Sequence, residues 1–465
     1  MIFSSITFLY FFLPAVVLLY LIVPKKLKNS VILLASIVFY AWGEKLLVIL
    51  FIVSILIGWI LGLLIERKQN SLWSKIFLVI AVVFDLGILF YFKYTDFFID
   101  SFNNAFGLSI PLLKIALPIG ISFYTFQLLS YEVDVYRGTV KAQKNFIDFA
   151  TYVAMFPQLI AGPIVRYSDI EIQLKTREHT LQQTKDGISR FIIGFSKKVL
   201  IANALGELTV FFRSSTDLSI LYYWIYAIAY MLQIYYDFSG YSDMAIGLGK
   251  IFGFDFMENF DYPYISKSIT EFWRRWHISL GSWFRDYVYI PLGGNRKGII
   301  RQLLNIMIVW MLTGFWHGAA WNFVLWGLFY AVLLMIEKLF LKKFLDKHSV
   351  FGHIYVLIFV LLGFVLFNAS SLSQTVSDIC GMFAFGRLPF VSPEALYYLK
   401  SFGIVILLGI IGSTPLLKKA YGKLMQTKAG KILGWAEPFV LILLLLIGTA
   451  YLVDGSFNPF LYFRF

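Results

Sequence analysis

The chain has one cysteine, Cys380, in 465 residues. A lone cysteine excludes an internal disulfide and any cysteine-rich metal site. Charge is scarce as well: 14% of residues are Asp, Glu, Lys or Arg, against about 25% in a soluble domain, which excludes a sizeable soluble domain. No HExxH motif and no carboxylate cluster accompanies the five histidines, so no metal centre is expected. No internal repeat is visible, which weighs against an inverted-repeat transporter. What is present is apolar surface: 59% of residues are hydrophobic and the mean hydropathy is +0.75. The 40 basic residues against 27 acids sit in short loops between apolar runs. That is the distribution of cytoplasmic loops, not of a nucleic-acid surface.

These features predict an all-α, polytopic integral membrane protein. The run Ile2–Val23 is too long for a signal-peptide core and has no basic segment before it, so it is expected to be retained as a span. Pro24-Lys25-Lys26-Leu27-Lys28 follows it, placing the N-terminus outside and this loop inside. Val31–Gly43 and Leu46–Ile65 make an out-and-back hairpin, and Ile76–Phe92 leads outward. The stretches Ile115–Tyr131 and Phe146–Ile164 are broken by Pro118-Ile119-Gly120, Pro157 and Gly162-Pro163. Broken backbone at membrane depth survives only where protein buries it or a water-filled cavity accepts its hydrogen bonds, so a re-entrant, cavity-lining region is expected here. Arg166–Lys185 is a polar, cytoplasmic interlude. Phe191–Phe212, Leu221–Leu248, Leu303–Trp316, Asn322–Ile336, Tyr355–Leu366, Phe402–Ile411 and Leu433–Tyr451 supply further spans, with an external loop at Ser370–Tyr398. The count is about 11–13 transmembrane or re-entrant helices, with both termini outside. A single membrane domain over 1–465 is expected, with N-terminal spans in 1–110, a core in 111–340 and C-terminal spans in 341–465.

The organising stretch runs from Glu271 to Trp321 and holds two histidines, His277 and His317, among aromatic residues. Ionisable residues in a membrane-like sequence are costly and read by default as functional. As one helix from Glu271 to Asp286, the segment would place Trp273, His277, Leu280 and Phe284 on one face. Arg275, Ser279, Ser282 and Asp286 would form a polar stripe on another. His317 sits among Thr313, Gly314, Gly318 and Ala319, small residues that let a substrate or a neighbouring helix approach the ring. A neutral imidazole there can accept a hydroxyl proton. His277 carries two readings, a ring packed for structure or a lining of the reaction path. The run YYDFSGYSD, with Asp237, Ser239 and Asp243, is equally open to helix-packing, cation-binding or catalytic readings. Physics alone leaves a proton-coupled transporter and a membrane transferase level.

The order YYDFSGYSDMAIG, then SKSITEFWRRWHISLGSWFRDYVYIPLGGNRKG, then LTGFWHGAAWNFVLWG resembles the membrane-bound O-acyltransferase family. It is most similar to that family's bacterial, alginate O-acetyltransferase-like branch. LASIVFYAWGE, LPIGISFYTFQ and FPQLIAGPIVRY in the N-terminal half are similar to that branch too. The resemblance implies a ring of helices around a thin centre, with a cytoplasmic and an extracytoplasmic funnel. It implies that His317 is the catalytic histidine and His277 the second histidine. Trp273, Arg275, Trp276, Asp237, Ser239 and Trp316 are expected to line or support the path. It implies no bound cofactor and a cytoplasmic thioester donor, acetyl-CoA or an acyl carrier. The acyl group would reach an extracytoplasmic polysaccharide through a partner acyltransferase of the serine-hydrolase type, from a bacterial cytoplasmic membrane and in contact with lipid. The competing reading is a transporter or flippase of an acyl or lipid-linked substrate. For the oxyanion, His277, the Trp316 indole and a backbone amide near Gly314 are the donors the sequence offers.

Overall fold

The computed structural model describes residues 2–455 and residue 458. The chain folds as two compact units, Met1–Phe191 with Met244–Met257, and Ile192–Asp243 with Glu258–Phe465.

The first unit is built from α1 (Leu13–Ile22), α2 (Lys28–Gly43), α3 (Leu47–Arg67), α4 (Leu72–Lys93), α5 (Thr95–Phe106), α6 (Ile121–Arg137), α7 (Phe146–Ala154), α8 (Phe156–Leu159), α9 (Tyr167–Lys175) and the start of α10 (Leu181–Ser196). α3 and α4 are spans of 21 and 22 residues, with isoleucine, leucine and valine on every face, as a helix surrounded by lipid and protein requires. The breaks expected at 118–120 and 157–163 are present, and they meet. Gly120 starts α6 at φ +75°, and a Cβ there would stand 2.5 Å from the Leu159 carbonyl oxygen. Protein rather than a cavity satisfies this irregular backbone: the Phe156 amide donates to Ser36 Oγ at 3.0 Å, and the Gln158 side chain to the Tyr152 carbonyl at 2.6 Å. Both are buried, so the protein-buried alternative holds at this point.

The second unit takes in the rest of α10, α11 (Asn203–Ser214), the long α12 (Ile220–Ile251) up to Asp243, α13 (Ile269–Arg275), α14 (Ile278–Phe284), α15 (Gly298–His317), α16 (Trp321–Ile336), α17 (Lys342–Lys347), α18 (Ser349–Asn368), α19 (Leu372–Met382), α20 (Pro393–Gly412), α21 (Leu416–Met425) and α22 (Lys428–Asp454). α19 occupies 11 residues of the stretch expected to be a loop at Ser370–Tyr398. Ser371 caps it by accepting from the Gln374 amide, a local signal an apolarity scan passes over. α12 is long enough to span but is rich in Tyr, carries Gln233 and Asp237, and is buried in protein along most of its length.

Among the described residues, seven helices are long and apolar enough to cross a membrane: Leu47–Arg67, Leu72–Lys93, Gly298–His317, Trp321–Lys347, Ser349–Asn368, Pro393–Gly412 and Lys428–Asp454. The protein is a multi-pass, helical membrane protein. α22 leaves Ile432, Trp435, Phe439, Leu443 and Leu446 more than half exposed, an apolar surface suited to lipid.

Candidate functional site

His317 is the last residue of α15, and the turn Gly318-Ala319-Ala320 leads into α16. Two glycines let these helices touch backbone to backbone. A Cβ on Gly314 would meet the Phe323 carbonyl oxygen at 2.2 Å, and one on Gly327 would meet the Trp310 carbonyl oxygen at 2.2 Å. The small residues around His317 thus serve the approach of a helix. That contact delivers the imidazole into a ring of aromatics, with centroids 5.0 Å from Trp316, 5.1 Å from Trp326 and 5.3 Å from Phe367.

The expected continuous helix Glu271–Asp286 is two helices broken at His277. His277 has φ +45° and ψ +56°, the left-handed region that non-glycine residues seldom occupy. The break is held from outside the segment by Asn259. Its carbonyl oxygen accepts from the Ile278 amide at 3.0 Å, and its side-chain Oδ1 accepts from the Ser279 amide at 3.3 Å and from Ser279 Oγ at 2.9 Å. Asn259 Nδ2 donates to Ser242 Oγ at 3.1 Å, so Oδ1 is the acceptor facing His277 Nδ1 at 3.0 Å. The hydrogen of a neutral His277 therefore sits on Nδ1, and Nε2 carries the lone pair. Nε2 is buried and has no hydrogen-bond partner among the described residues.

The break dissolves the two stripes. Arg275 does not serve Asp286. It bonds Glu271 at 3.0 Å and Asp261 at 2.9 Å, while Asp286 pairs with Arg285 at 2.7 Å. Arg275 instead closes the turn that carries Asn259: the Asp261 amide bonds the Arg275 carbonyl at 2.9 Å. The start of α13 is fixed by buried Glu337, whose carboxylate accepts from the Ile269 amide and, at 2.9 Å and 2.6 Å, from the Thr270 amide and hydroxyl. A carboxylate at a helix start answers the bare amides and the dipole together.

A cavity of about 520 Å³ has His277 and His317 in its wall, together with Trp273, Trp276, Thr313 and Arg274. His277 is 2% exposed and His317 8%. Trp316 is not on that wall. Its indole lies near both imidazoles, 6.0 Å from His277 and 5.0 Å from His317 by centroids. Trp273 presents a buried indole Nε1 with no hydrogen-bond partner among the described residues. Gly314 lies inside α15, where the helix commits its amide to the carbonyl four residues back, so it is not an oxyanion donor.

Asp237 and Ser239 are not brought to the cavity. Asp237 forms a buried ion pair with Lys198, and Asp243 bonds Lys197 at 2.6 Å. Both lysines lie in the π-helical segment Lys197–Ala202, so these acids join that segment to α12. The Ser239 hydroxyl is buried with no hydrogen-bond partner among the described residues. The YYDFSGYSD run reaches the site through two residues the sequence did not single out: Phe238, edge-on to His277 at 4.6 Å, and Ser242, which holds Asn259. Asn259 and Arg274 were missed as well. Asn259 lies eighteen residues from His277 in a loop, where no periodicity signals a contact. No group of three or more His, Cys, Asp or Glu that could hold a metal is present among the described residues.

Comparison with known proteins identifies the family. The family model described as MBOAT, membrane-bound O-acyltransferase family, matches residues 6–377. The chain is 39% identical to the probable alginate O-acetylase AlgI of Azotobacter vinelandii over the full length of both. It is 32% identical to the peptidoglycan O-acetyltransferase of Helicobacter pylori, covering all of this chain and 98% of that one. It is 31% identical to the teichoic acid D-alanyltransferase of Bacillus subtilis over 54% of this chain and 68% of the other. With a match over most of its length and full-length relatives above 30% identity, the chain belongs to the membrane-bound O-acyltransferase family and is an O-acyltransferase.

Proposed function

We propose that the protein transfers an acetyl group from a cytoplasmic thioester donor, acetyl-CoA or an acyl carrier, toward O-acetylation of a cell-envelope polysaccharide such as alginate. The observation that carries this reading is the pairing of His277 and His317 on the wall of one cavity, within a chain whose full-length relatives are named for alginate and peptidoglycan acetylation. The protein would work in the cytoplasmic membrane of a bacterium, handing acetyl to an extracytoplasmic acyltransferase of the serine-hydrolase type.

In this reading His317 takes the proton as the acceptor hydroxyl oxygen attacks the thioester carbonyl. The tetrahedral centre collapses, the C–S bond breaks and the thiolate leaves, taking the proton back from the imidazolium. His277, with its hydrogen on the Asn259 side, offers a lone pair rather than an N–H, so it does not serve the oxyanion and lines the acyl path. The unpartnered Trp273 indole N–H is the donor that suits the developing charge. A thioester is activated, so positioning, deprotonation and oxyanion stabilisation suffice.

The test uses purified protein in lipid nanodiscs with a radiolabelled acetyl thioester, an extracytoplasmic serine-hydrolase-type acyltransferase and a short polysaccharide acceptor. Release of free thiol coupled to acetyl transfer supports the reading. Movement of an intact acyl or lipid-linked substrate across the bilayer, driven by a proton gradient and with the thioester uncleaved, would refute it and favour a transporter.

A further inference from the structure

The first unit has a second cavity of about 520 Å³, whose wall includes Lys25, Lys28, Lys175, Arg177 and His179, with Glu178 the one acid. Lysines after a span are ordinarily topological signals, each solvated on its own. Here the two stretches, some 150 residues apart in the chain, are built into one another. Arg177 Nε donates to the Tyr20 hydroxyl at 2.9 Å, and Nη1 donates to Asn29 Oδ1 at 2.7 Å. The Tyr20 hydroxyl gives its own hydrogen to the Phe252 carbonyl at 2.8 Å, so it accepts from His179 Nε2 at 3.1 Å. The Lys28 ammonium stands 4.5 Å from the Tyr20 ring centroid, and the Arg177 guanidinium 4.5 Å from that of Phe254.

None of these contacts supplies a negative charge to the cluster. Lys175 is 3.7 Å from Glu171, and Asp148 reaches Arg177 only through Asn29, bonding its Nδ2 at 2.6 Å. Arg177 Nη2 is buried with no hydrogen-bond partner among the described residues. The excess of positive charge shows on its neighbours. Burial, then Lys28, Arg177 and Lys25, push the His179 imidazole down to about 4. Burial, then Arg177 and Lys25, lower Lys28.

We infer that this cavity is a binding site for a phosphate group, carried by an anionic lipid headgroup or by a soluble phosphate compound. A phosphate has the charge and the acceptor oxygens to bond Lys25, Lys28 and Lys175 at once, and charge-assisted bonds of that kind are the strong ones. The inference does not depend on the histidine cavity or on the reaction proposed there.

The experiment has two arms on the full chain. Pyrophosphate is titrated calorimetrically into detergent-purified protein. In parallel, protein in nanodiscs of phosphatidylcholine with phosphatidylglycerol is assayed by native mass spectrometry for retained anionic lipid. Each arm is repeated with the double variant Lys25→Gln/Lys28→Gln and with Lys418→Gln/Lys419→Gln, which removes two exposed charges elsewhere. The expected result is saturable binding in at least one arm, weakened about tenfold or more by the first double variant and unchanged by the second. Pyrophosphate binding identifies a soluble source, and lipid retention a membrane source. Binding in neither arm, or binding that the two double variants weaken equally, would overturn the inference.

Discussion

At the residue scale the site turns on how His277 is held. Ser242 orients the Asn259 amide, Asn259 accepts from His277 Nδ1, and Nε2 keeps its lone pair with no hydrogen-bond partner among the described residues. Replacing Asn259 by Leu frees the tautomer and the backbone of His277, and acetyl transfer should fall about tenfold or more. Asn259→Asp keeps the acceptor oxygen and should retain more turnover than Asn259→Leu at equal folded yield. Equal losses in the two variants would reduce Asn259 to a packing role. His179 supports a second expectation at this scale. Its folded value of about 4 lies below the ordinary 6.5. Below pH 6.5 the unfolded chain therefore takes up a proton that the folded chain refuses, and stability is lost as the pH falls from 6.5 to about 4. Thermal melting across that window should show a smaller acid-side loss in His179→Gln, and identical profiles would contradict the assignment.

At the scale of elements, the α15–α16 contact and the turn held by Arg275 set how the two histidines reach one cavity wall. Gly314 and Gly327 bring α15 and α16 into backbone contact, and a methyl group at Gly314 has nowhere to go. Gly314→Ala should lower the melting temperature and abolish transfer, whereas Gly403→Ala, with nothing within 4 Å of its Cβ, should do neither. A Gly314→Ala protein with normal melting and turnover would show that the hairpin tolerates separation. Arg275→Ala should destabilise by loosening the turn that carries Asn259, because Arg275 holds Glu271 and Asp261. Asp261→Asn should therefore mimic it in part while Asp286→Asn does not. These contacts also mark what the sequence could reveal. The apolar helices, the backbone breaks near Gly120 and Pro157 and the two histidines were legible, because hydropathy, proline and glycine report local chemistry. The kink at His277 was not, because its cause is a loop asparagine eighteen residues away. A helical wheel drawn through Trp273, His277 and Phe284 assumes a continuity that Asn259 interrupts. The role of Asp237 stayed open in the sequence for a related reason: its partner Lys198 lies on another segment, and spacing along α12 says nothing of it.

At the scale of the whole molecule, the basic loops predict an orientation, and the proposed function puts the chemistry at the histidine cavity. A cysteine introduced in 370–398, after replacement of exposed Cys380, should react with a membrane-impermeant thiol reagent added outside. A cysteine at Lys342 should not. The reverse pattern would invert the topology and put the polysaccharide side at the wrong face. The central claim is that the two imidazoles on one cavity wall perform acyl transfer. Its most direct test is acetyl transfer from a labelled thioester by purified wild-type protein, His317→Ala and His277→Gln, each checked for folding by its melting temperature. The account predicts a loss of about 10²–10⁴-fold for His317→Ala and a smaller but clear loss for His277→Gln, with melting unchanged in both. Near wild-type transfer by a folded His317→Ala protein would contradict it.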